Sequence, residues 1–310
     1  MLRLLLLAPI LFNLTWVVDT YLTKRFIKDQ NDGNLESSTW MLMVIGGLVA
    51  FIFTLVVGLF NITGIFNIGL HATWRLILSW LLYGLAARPY FEALKVEKIE
   101  NIIPFLQTIP IFTYVIANIV LGESMSLLSI WLMIAIVCVT VLFSWDIHLN
   151  KINSRGLVLV LLCALIYSCS YVVFKVWWWE SASLRVSYFW EHIGVAIACL
   201  SFGLSYKART NIIWYFKTND LGFSILNIWN EWFYIGGMLI LNYLSLHYDI
   251  AYINTITNWL QPLLWFMMMF IAYKYLPKIY DRNYSFRELT RKITLCVISC
   301  ALLYWFYITQ

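Results

Sequence analysis

The sequence predicts an all-α polytopic membrane protein with ten transmembrane helices, arranged as two inverted five-helix repeats. Apolar residues make up 62% of the 310 residues and charged residues 12%, against about 45–50% and about 25% in soluble proteins. A soluble domain could not bury that much apolar surface behind so few charges. A further observation, a match between the two halves of the chain, predicts the repeat.

Clusters of polar residues divide the chain into ten apolar segments, each long enough to cross a bilayer. The loops between them are too short to form a soluble domain. We interpret the first segment as a retained helix, because no small-residue cleavage site of a signal peptide follows it. The predicted limits are 4–22, 39–60, 73–94, 99–121, 127–145, 156–176, 186–206, 222–246, 251–273 and 292–309.

The positive charges predict the orientation of the helices. Sixteen of the 21 Lys and Arg residues lie in loops that follow odd-numbered segments. Cytoplasmic loops carry such an excess, so we expect these loops in the cytoplasm and both termini outside. The chain is then a multi-pass protein of the cell membrane.

The two halves, 1–150 and 151–310, match each other in register. The spacing from Ala93 to Pro110 equals the spacing from Ser245 to Pro262. Five helices per half is an odd number, so the second half enters the membrane the other way up. Inverted repeats are typical of secondary transporters, whose binding site lies near the midplane between the halves. At the same offset of 152 residues, Trp80 matches Trp232, Gly84 matches Gly236 and Leu94 matches Leu246. At an offset of 151 residues, Trp16 pairs with Tyr167 and Lys24 with Lys175.

The first half contains several short motifs: Tyr90-Phe-Glu-Ala-Leu94, Ile103-Pro104, Ile109-Pro110-Ile-Phe-Thr113 and Leu121-Gly122-Glu123, with Trp16 and Lys24 in the first segment. Together they resemble the EamA-type pattern of the drug/metabolite transporter superfamily. The resemblance implies a ten-helix secondary transporter. The chain departs from the pattern in its few glycines, 14 in all, and in Tyr-Lys-Tyr at 273–275 where a second Leu-Gly-Glu would stand. Family members also usually have cytoplasmic termini, opposite to the charge bias, so no substrate is carried over.

Glu231 is the first candidate for substrate binding. It lies about ten residues into the eighth segment and therefore near the midplane, and the adjacent Trp232 is a further candidate for substrate binding. A carboxylate among aromatic rings suits a cation, and it could also carry a coupling proton. The alternative is a structural glutamate that pairs with Arg75 or Lys175.

A polar stripe on the ninth segment supplies further candidates. Asn254, Thr257, Asn258 and Gln261 follow the spacing i, i+3, i+4, i+7, which places them on one helical face. We expect Asn254, Asn258 and Gln261 to line a polar cavity with Glu231. The alternative is hydrogen bonding between helices.

Three more residues complete the predicted substrate site. Glu191 lies about six residues into the seventh segment, within reach of a vestibule. Asp19 follows Trp16 by about one turn in the first segment, and both could approach the cavity.

The pattern predicts a secondary transporter, not an enzyme. It would move a small polar metabolite, cationic or zwitterionic and amine- or amino-acid-like, by alternating access. The alternative is an integral-membrane transferase acting on lipid or glycolipid, although the four histidines are scattered without metal or triad spacing. We expect no cofactor and no nucleic acid. The expected partners are a small-molecule substrate, a coupling proton and the lipid bilayer, and the chain is a monomer or a homodimer.

Overall fold

The computed structural model describes residues 2–29, 36–60, 62–65, 68–96, 102, 105–144, 154–178, 184–204, 206, 209–210, 221–275 and 286–308. Within these ranges every long regular element is an α-helix, so the all-α prediction is confirmed. The ten long helices are α1 Leu2–Asp29, α2 Glu36–Leu59, α3 Leu70–Val96, α4 Ile109–Leu121, α5 Leu127–Ser144, α6 Ser154–Trp178, α7 Leu184–Phe202, α8 Leu221–His247, α9 Ile250–Tyr275 and α10 Phe286–Ile308. A single turn, Ile62–Ile65, follows α2.

The fourth helix differs from its predicted limits. It begins at Ile109, whereas the apolar segment begins at 99. Pro110 stands in the first turn of α4, where its missing N–H is tolerated and its fixed φ favours a helix start. The helix ends at Gly122, whose φ of +67° is a left-handed conformation that glycine adopts without strain.

The helices pack mainly across the two halves of the chain. Helix α3 packs on α6 and α7, and α8 packs on α1 and α2. Helix α4 packs on α6 and α9 packs on α1, while α2 packs on α7, α4 on α9 and α5 on α10. Several of these pairs correspond to helix pairs five positions later: α3–α6 corresponds to α8–α1, and α3–α7 to α8–α2. The pairs α2–α7, α4–α9 and α5–α10 each join a helix to its own counterpart in the other half. The division at residue 150 and the inversion of the second half stay predictions.

The helix ends lie in two groups, which we name the even end and the odd end. At the even end, Lys175 near the end of α6 meets Glu123 after α4 and Tyr248 after α8. Towards the odd end, Asp19 in the second half of α1 meets Asn230 in the first half of α8. The candidate site includes the Asp19–Asn230 contact and lies on the odd-end side of the Lys175 contacts.

Helices α3 and α7 approach so closely that they form one wall of the bundle. A Cβ atom added at Gly194 would lie 2.2 Å from the carbonyl oxygen of Ile77. A Cβ added at Gly84 would lie 2.6 Å from the Cβ of Ala198. Contacts this short leave room only for glycine, so these two positions fix the spacing of α3 and α7.

The bundle buries polar side chains and exposes apolar ones. Asn227, Asn254 and Glu191 are fully buried, whereas Ile119 is 78% exposed and Leu127 72%. The core is still mostly apolar, but fully buried amides and a carboxylate together with exposed large apolar side chains are unusual in a soluble domain. By length and apolar composition, one helix among the described residues, Ser154–Val176, qualifies as a membrane span. The total of ten spans stays a prediction.

Candidate functional site

A cavity of about 140 Å³ lies between the helices, and eight of the ten contribute to its lining. Residues of α1, α2, α3, α4, α6, α7, α8 and α9 line it, whereas the described parts of α5 and α10 do not. Most of the lining on α1, α2, α3, α7 and α8 comes from the half of each helix nearer the odd end, whereas the lining on α6 and α9 comes from the half nearer the even end. The cavity therefore occupies the middle of the bundle, with more of its lining towards the odd end.

Two carboxylates, Asp19 and Glu231, face this cavity. Asp19 Oδ1 accepts a hydrogen bond of 2.7 Å from Asn230 Nδ2. The Glu231 carboxylate lies against Gly46, where an added Cβ atom would stand 3.0 Å from Glu231 Oε1. The described lining contains no Lys, Arg or His, so its formal charge is negative when the carboxylates are ionised.

Aromatic rings form much of the remaining wall. The ring centroid of Tyr83 lies 4.6 Å from that of Tyr167, 5.6 Å from that of Tyr234 and 6.1 Å from that of Tyr171. Phe12 packs on Tyr234 at 6.0 Å. Aromatic faces carry negative charge density and attract cations, so these rings add to the effect of the carboxylates.

Several buried oxygen atoms along the cavity have no hydrogen-bond partner in the described part of the chain. They are the hydroxyls of Tyr90 and Tyr234, Asn230 Oδ1, Thr257 Oγ1 and Gln261 Oε1. Buried polar atoms are ordinarily satisfied by protein or water. Because each of these oxygens can accept a hydrogen bond, an occupant with donor groups, or water, would satisfy them.

Five of the predicted site residues line the cavity together. Trp16 and Asp19 reach it from α1, Glu231 from α8, and Asn258 and Gln261 from α9. Three of the four residues of the polar stripe, Thr257, Asn258 and Gln261, therefore face the same space as Glu231.

Three predicted residues do not line the cavity. Trp232 is 38% exposed and packs edge-on against Phe53 at 5.6 Å, because adjacent residues of a helix point about 100° apart. Asn254 is buried between helices and its Nδ2 donates to Thr113 Oγ1 at 3.4 Å. Glu191 is fully buried on α7 rather than in a vestibule.

Several cavity residues were not predicted from the sequence. Tyr167 and Tyr171 are four residues apart on α6, and Tyr83 and Tyr90 are seven apart on α3. Both spacings place the two rings on one helical face, which is a signal that could have indicated them. Gly46 carries no such signal, because its importance depends on Glu231 lying opposite.

An ion pair joins the two halves at the even end. Lys175 Nζ donates to Glu123 Oε1 at 2.5 Å and to the carbonyl oxygen of Tyr248 at 3.0 Å. Gly122 turns the chain just before Glu123. Lys175 therefore pairs with Glu123 rather than with Glu231, and it ties α6 to the loops that follow α4 and α8.

Neither comparison of the sequence gives a match: no protein-family model and no curated protein matches the chain. The fold is similar to that of a solved chain described only as a crystal structure of a protein. That likeness has a TM-score of 0.57 and covers 97% of this chain and 96% of the other, at 12% sequence identity. At this identity the likeness shows the fold alone. Among the described residues, no group of three His, Cys, Asp or Glu side chains is placed to hold a metal ion.

Proposed function

We propose that this chain spans a membrane and carries small organic ammonium ions through it by alternating access, as a transporter of the EamA type. One observation carries the proposal. Asp19 and Glu231 face an aromatic cavity whose described lining has no basic side chain.

The charge of the cavity favours a cation over a zwitterion. The carboxylate of a zwitterion would meet Asp19 and Glu231 without any basic group to pair with. A charge-assisted hydrogen bond contributes about 1.5–3 kcal/mol, and a cation over an aromatic face adds about 0.5–2 kcal/mol. An ammonium ion gains both contributions, and its N–H or O–H groups can reach the unpartnered oxygens of Thr257 and Gln261.

The size of the cavity favours a small cargo. Its volume of about 140 Å³ is close to that of engineered protein cavities that bind benzene, about 150 Å³. A cargo of roughly that size fits, whereas a phospholipid or glycolipid does not. This supports transport over the alternative of a lipid-modifying transferase.

The outer surface supports a membrane location. Large apolar side chains are exposed on several helices, among them Ile119, Leu127 and Trp131. Water would disfavour such a surface, whereas lipid tails accommodate it. The polar side chains instead point into the bundle, as they do in proteins that provide a polar route through lipid.

The two ends of the bundle support alternating access. At the even end Lys175 joins Glu123 of the other half and the carbonyl oxygen of Tyr248, whereas most helices that line the cavity contribute residues from their odd-end half. Helices of opposite halves pack on each other throughout, so rocking one half against the other would open one end as it closes the other. The structure then corresponds to a state that is closed at its even end.

Transport into liposomes tests the proposal. Purified protein is reconstituted, and uptake of radiolabelled choline and putrescine is measured in separate samples, with protein-free liposomes as the control. We expect saturable uptake of at least one of them, with the label recovered chemically unchanged. Saturable uptake of anions or sugars with neither cation entering would refute the ammonium assignment, and recovery of a modified product would favour the transferase.

A further inference from the structure

A second acidic group, Glu191, is buried in α7 outside the cavity. The side chain is fully buried, and neither carboxylate oxygen has a hydrogen-bond partner among the residues that the structure describes. The nearby Tyr188 hydroxyl donates to the carbonyl oxygen of Leu239 on α8 at 3.1 Å. The amide of Asn242, also on α8, lies within hydrogen-bond reach of the Tyr188 hydroxyl. Glu191 therefore belongs to a polar pocket between α7 and α8 that the cargo site does not use.

The position of Glu191 relates this pocket to the cavity. Glu191, Val195 and Cys199 are spaced by four residues and share one face of α7. Val195 and Cys199 line the cavity. With a rise of about 1.5 Å per residue, Glu191 lies about 6 Å beyond Val195. That displacement is towards the even end, where the two halves are held closed.

A buried carboxylate without a partner must be neutralised. An ionised carboxylate removed from water is strongly disfavoured unless a counter-charge or several hydrogen bonds compensate it. A metal ion such as sodium needs several oxygen ligands, and besides the carboxylate the described oxygens nearby are those of the Tyr188 hydroxyl and the Asn242 amide. A proton needs only the carboxylate itself.

We propose that Glu191 is a proton-binding site on the closed side of the cavity and that it couples cargo movement to a proton gradient. This inference rests on the proposed transport function. While the even end is closed, Glu191 keeps its proton. When the even end opens and water enters, the O–H bond of the carboxylic acid breaks and the proton passes to water, leaving the carboxylate. Once the even end has closed again, a proton that enters from the odd end through the cavity restores the acid, so each cycle moves one proton from the odd side to the even side.

None of the described titratable groups around Glu191 makes a hydrogen bond to its carboxylate oxygens. On α7 they are Tyr188 and His192, whose Nδ1 donates to the Tyr188 carbonyl oxygen at 2.9 Å. The ring of His192 packs against Phe53 of α2 and Trp80 of α3, at 4.6 and 5.2 Å. On α3, Arg75 lies near this level, but it makes no hydrogen bond to either carboxylate oxygen. On α2 and α8, the described residues at this level are uncharged.

The test compares Glu191→Gln and Glu191→Asp with the wild type in liposomes. The probe is radiolabelled choline, measured both as exchange without a gradient and as accumulation driven by a pH gradient. We expect the Gln variant to keep exchange and lose accumulation at least tenfold, and the Asp variant to retain part of the accumulation. In parallel, infrared spectra of the purified proteins should contain a protonated-carboxyl band that the Gln variant lacks.

Each result bears on one proposal. Accumulation that survives in the Gln variant would overturn the role of Glu191 and leave transport intact. Loss of exchange together with accumulation would make Glu191 a cargo or structural residue and would also overturn it. Accumulation that follows a sodium gradient would replace the proton site with a sodium site. If the wild type does not move choline, the infrared band decides: a band lost only with Glu191 supports the proton site, and its absence refutes it.

Discussion

Glu231 and Glu191 are two glutamates inside the same bundle whose surroundings differ in access. Glu231 on α8 lies opposite Gly46, and the missing side chain there leaves the carboxylate open to the cavity. Glu191 on α7 is fully enclosed, three residues before Gly194, where α7 touches the backbone of α3. The difference teaches that a charge within an apolar helix does not by itself identify a cargo site, because the neighbouring helices decide what can reach it.

Removing the charge at each glutamate should separate the two sites. Glu231→Gln keeps the shape of the side chain and removes its charge. We expect its affinity for an ammonium cargo to fall about 10- to 100-fold, the loss of a charge-assisted contact of about 1.5–3 kcal/mol. Calorimetric titration of purified protein with choline or putrescine measures this change.

Glu191→Gln is the matched control for that titration. Its cargo affinity should stay within about twofold of the wild type, because Glu191 does not line the cavity. Equal losses in both variants would remove the distinction between the two sites. No loss in either would leave Glu231 as a structural residue.

Adding one methyl group beside each glutamate should have unlike effects. At Gly46 the new Cβ meets the flexible end of Glu231, whereas at Gly194 it meets the backbone of Ile77 at 2.2 Å. Gly46→Ala should therefore weaken cargo binding about three- to tenfold, or about 0.7–1.4 kcal/mol, with little change in melting temperature. Gly194→Ala should lower the melting temperature clearly. Similar melting temperatures for both variants would contradict the close contact of α3 and α7.

Breaking the ion pair at the even end should have the smallest effect. The side chains of Lys175 and Glu123 are 14% and 12% exposed, and such a pair contributes about 0.5–1 kcal/mol. Lys175→Met should therefore increase opening of the even end about two- to fivefold. The readout is maleimide labelling of a cysteine introduced at Thr113 in a background without other cysteines.

A charge exchange controls this experiment. The double variant Lys175→Glu with Glu123→Lys keeps an ion pair of reversed direction and should return labelling towards the wild-type rate. If Lys175→Met labels no faster than the wild type, the pair does not hold the even end closed.

The sequence predicts most of the helices because apolar length is a local property. Nine of the ten predicted segments begin within about six residues of the helix start in the structure. The exception is α4, where Pro110 shifts the start to Ile109. Proline restricts its own backbone and that of the residue before it, so the later start of α4 could also have been predicted from the sequence.

The site is only partly predictable, because its geometry depends on contacts between distant residues. Asp19, Glu231 and the α9 stripe could be identified, since polar residues are rare in apolar segments. The direction in which Trp232 and Glu191 point depends on how each helix is rotated against its neighbours. The pairing of Lys175 with Glu123, 52 residues apart, also arises only from the packing of α6 beside α4.

The most direct test of the central claim compares charged and neutral ligands of the same shape. Purified wild-type protein is titrated with choline and with 3,3-dimethyl-1-butanol, in which carbon replaces the charged nitrogen, and with putrescine and 1,4-butanediol. The acidic, aromatic cavity predicts that in at least one pair the ammonium ion binds at least about tenfold tighter, a difference of about 1.4 kcal/mol or more. Equal affinity for charged and neutral members of both pairs would contradict it.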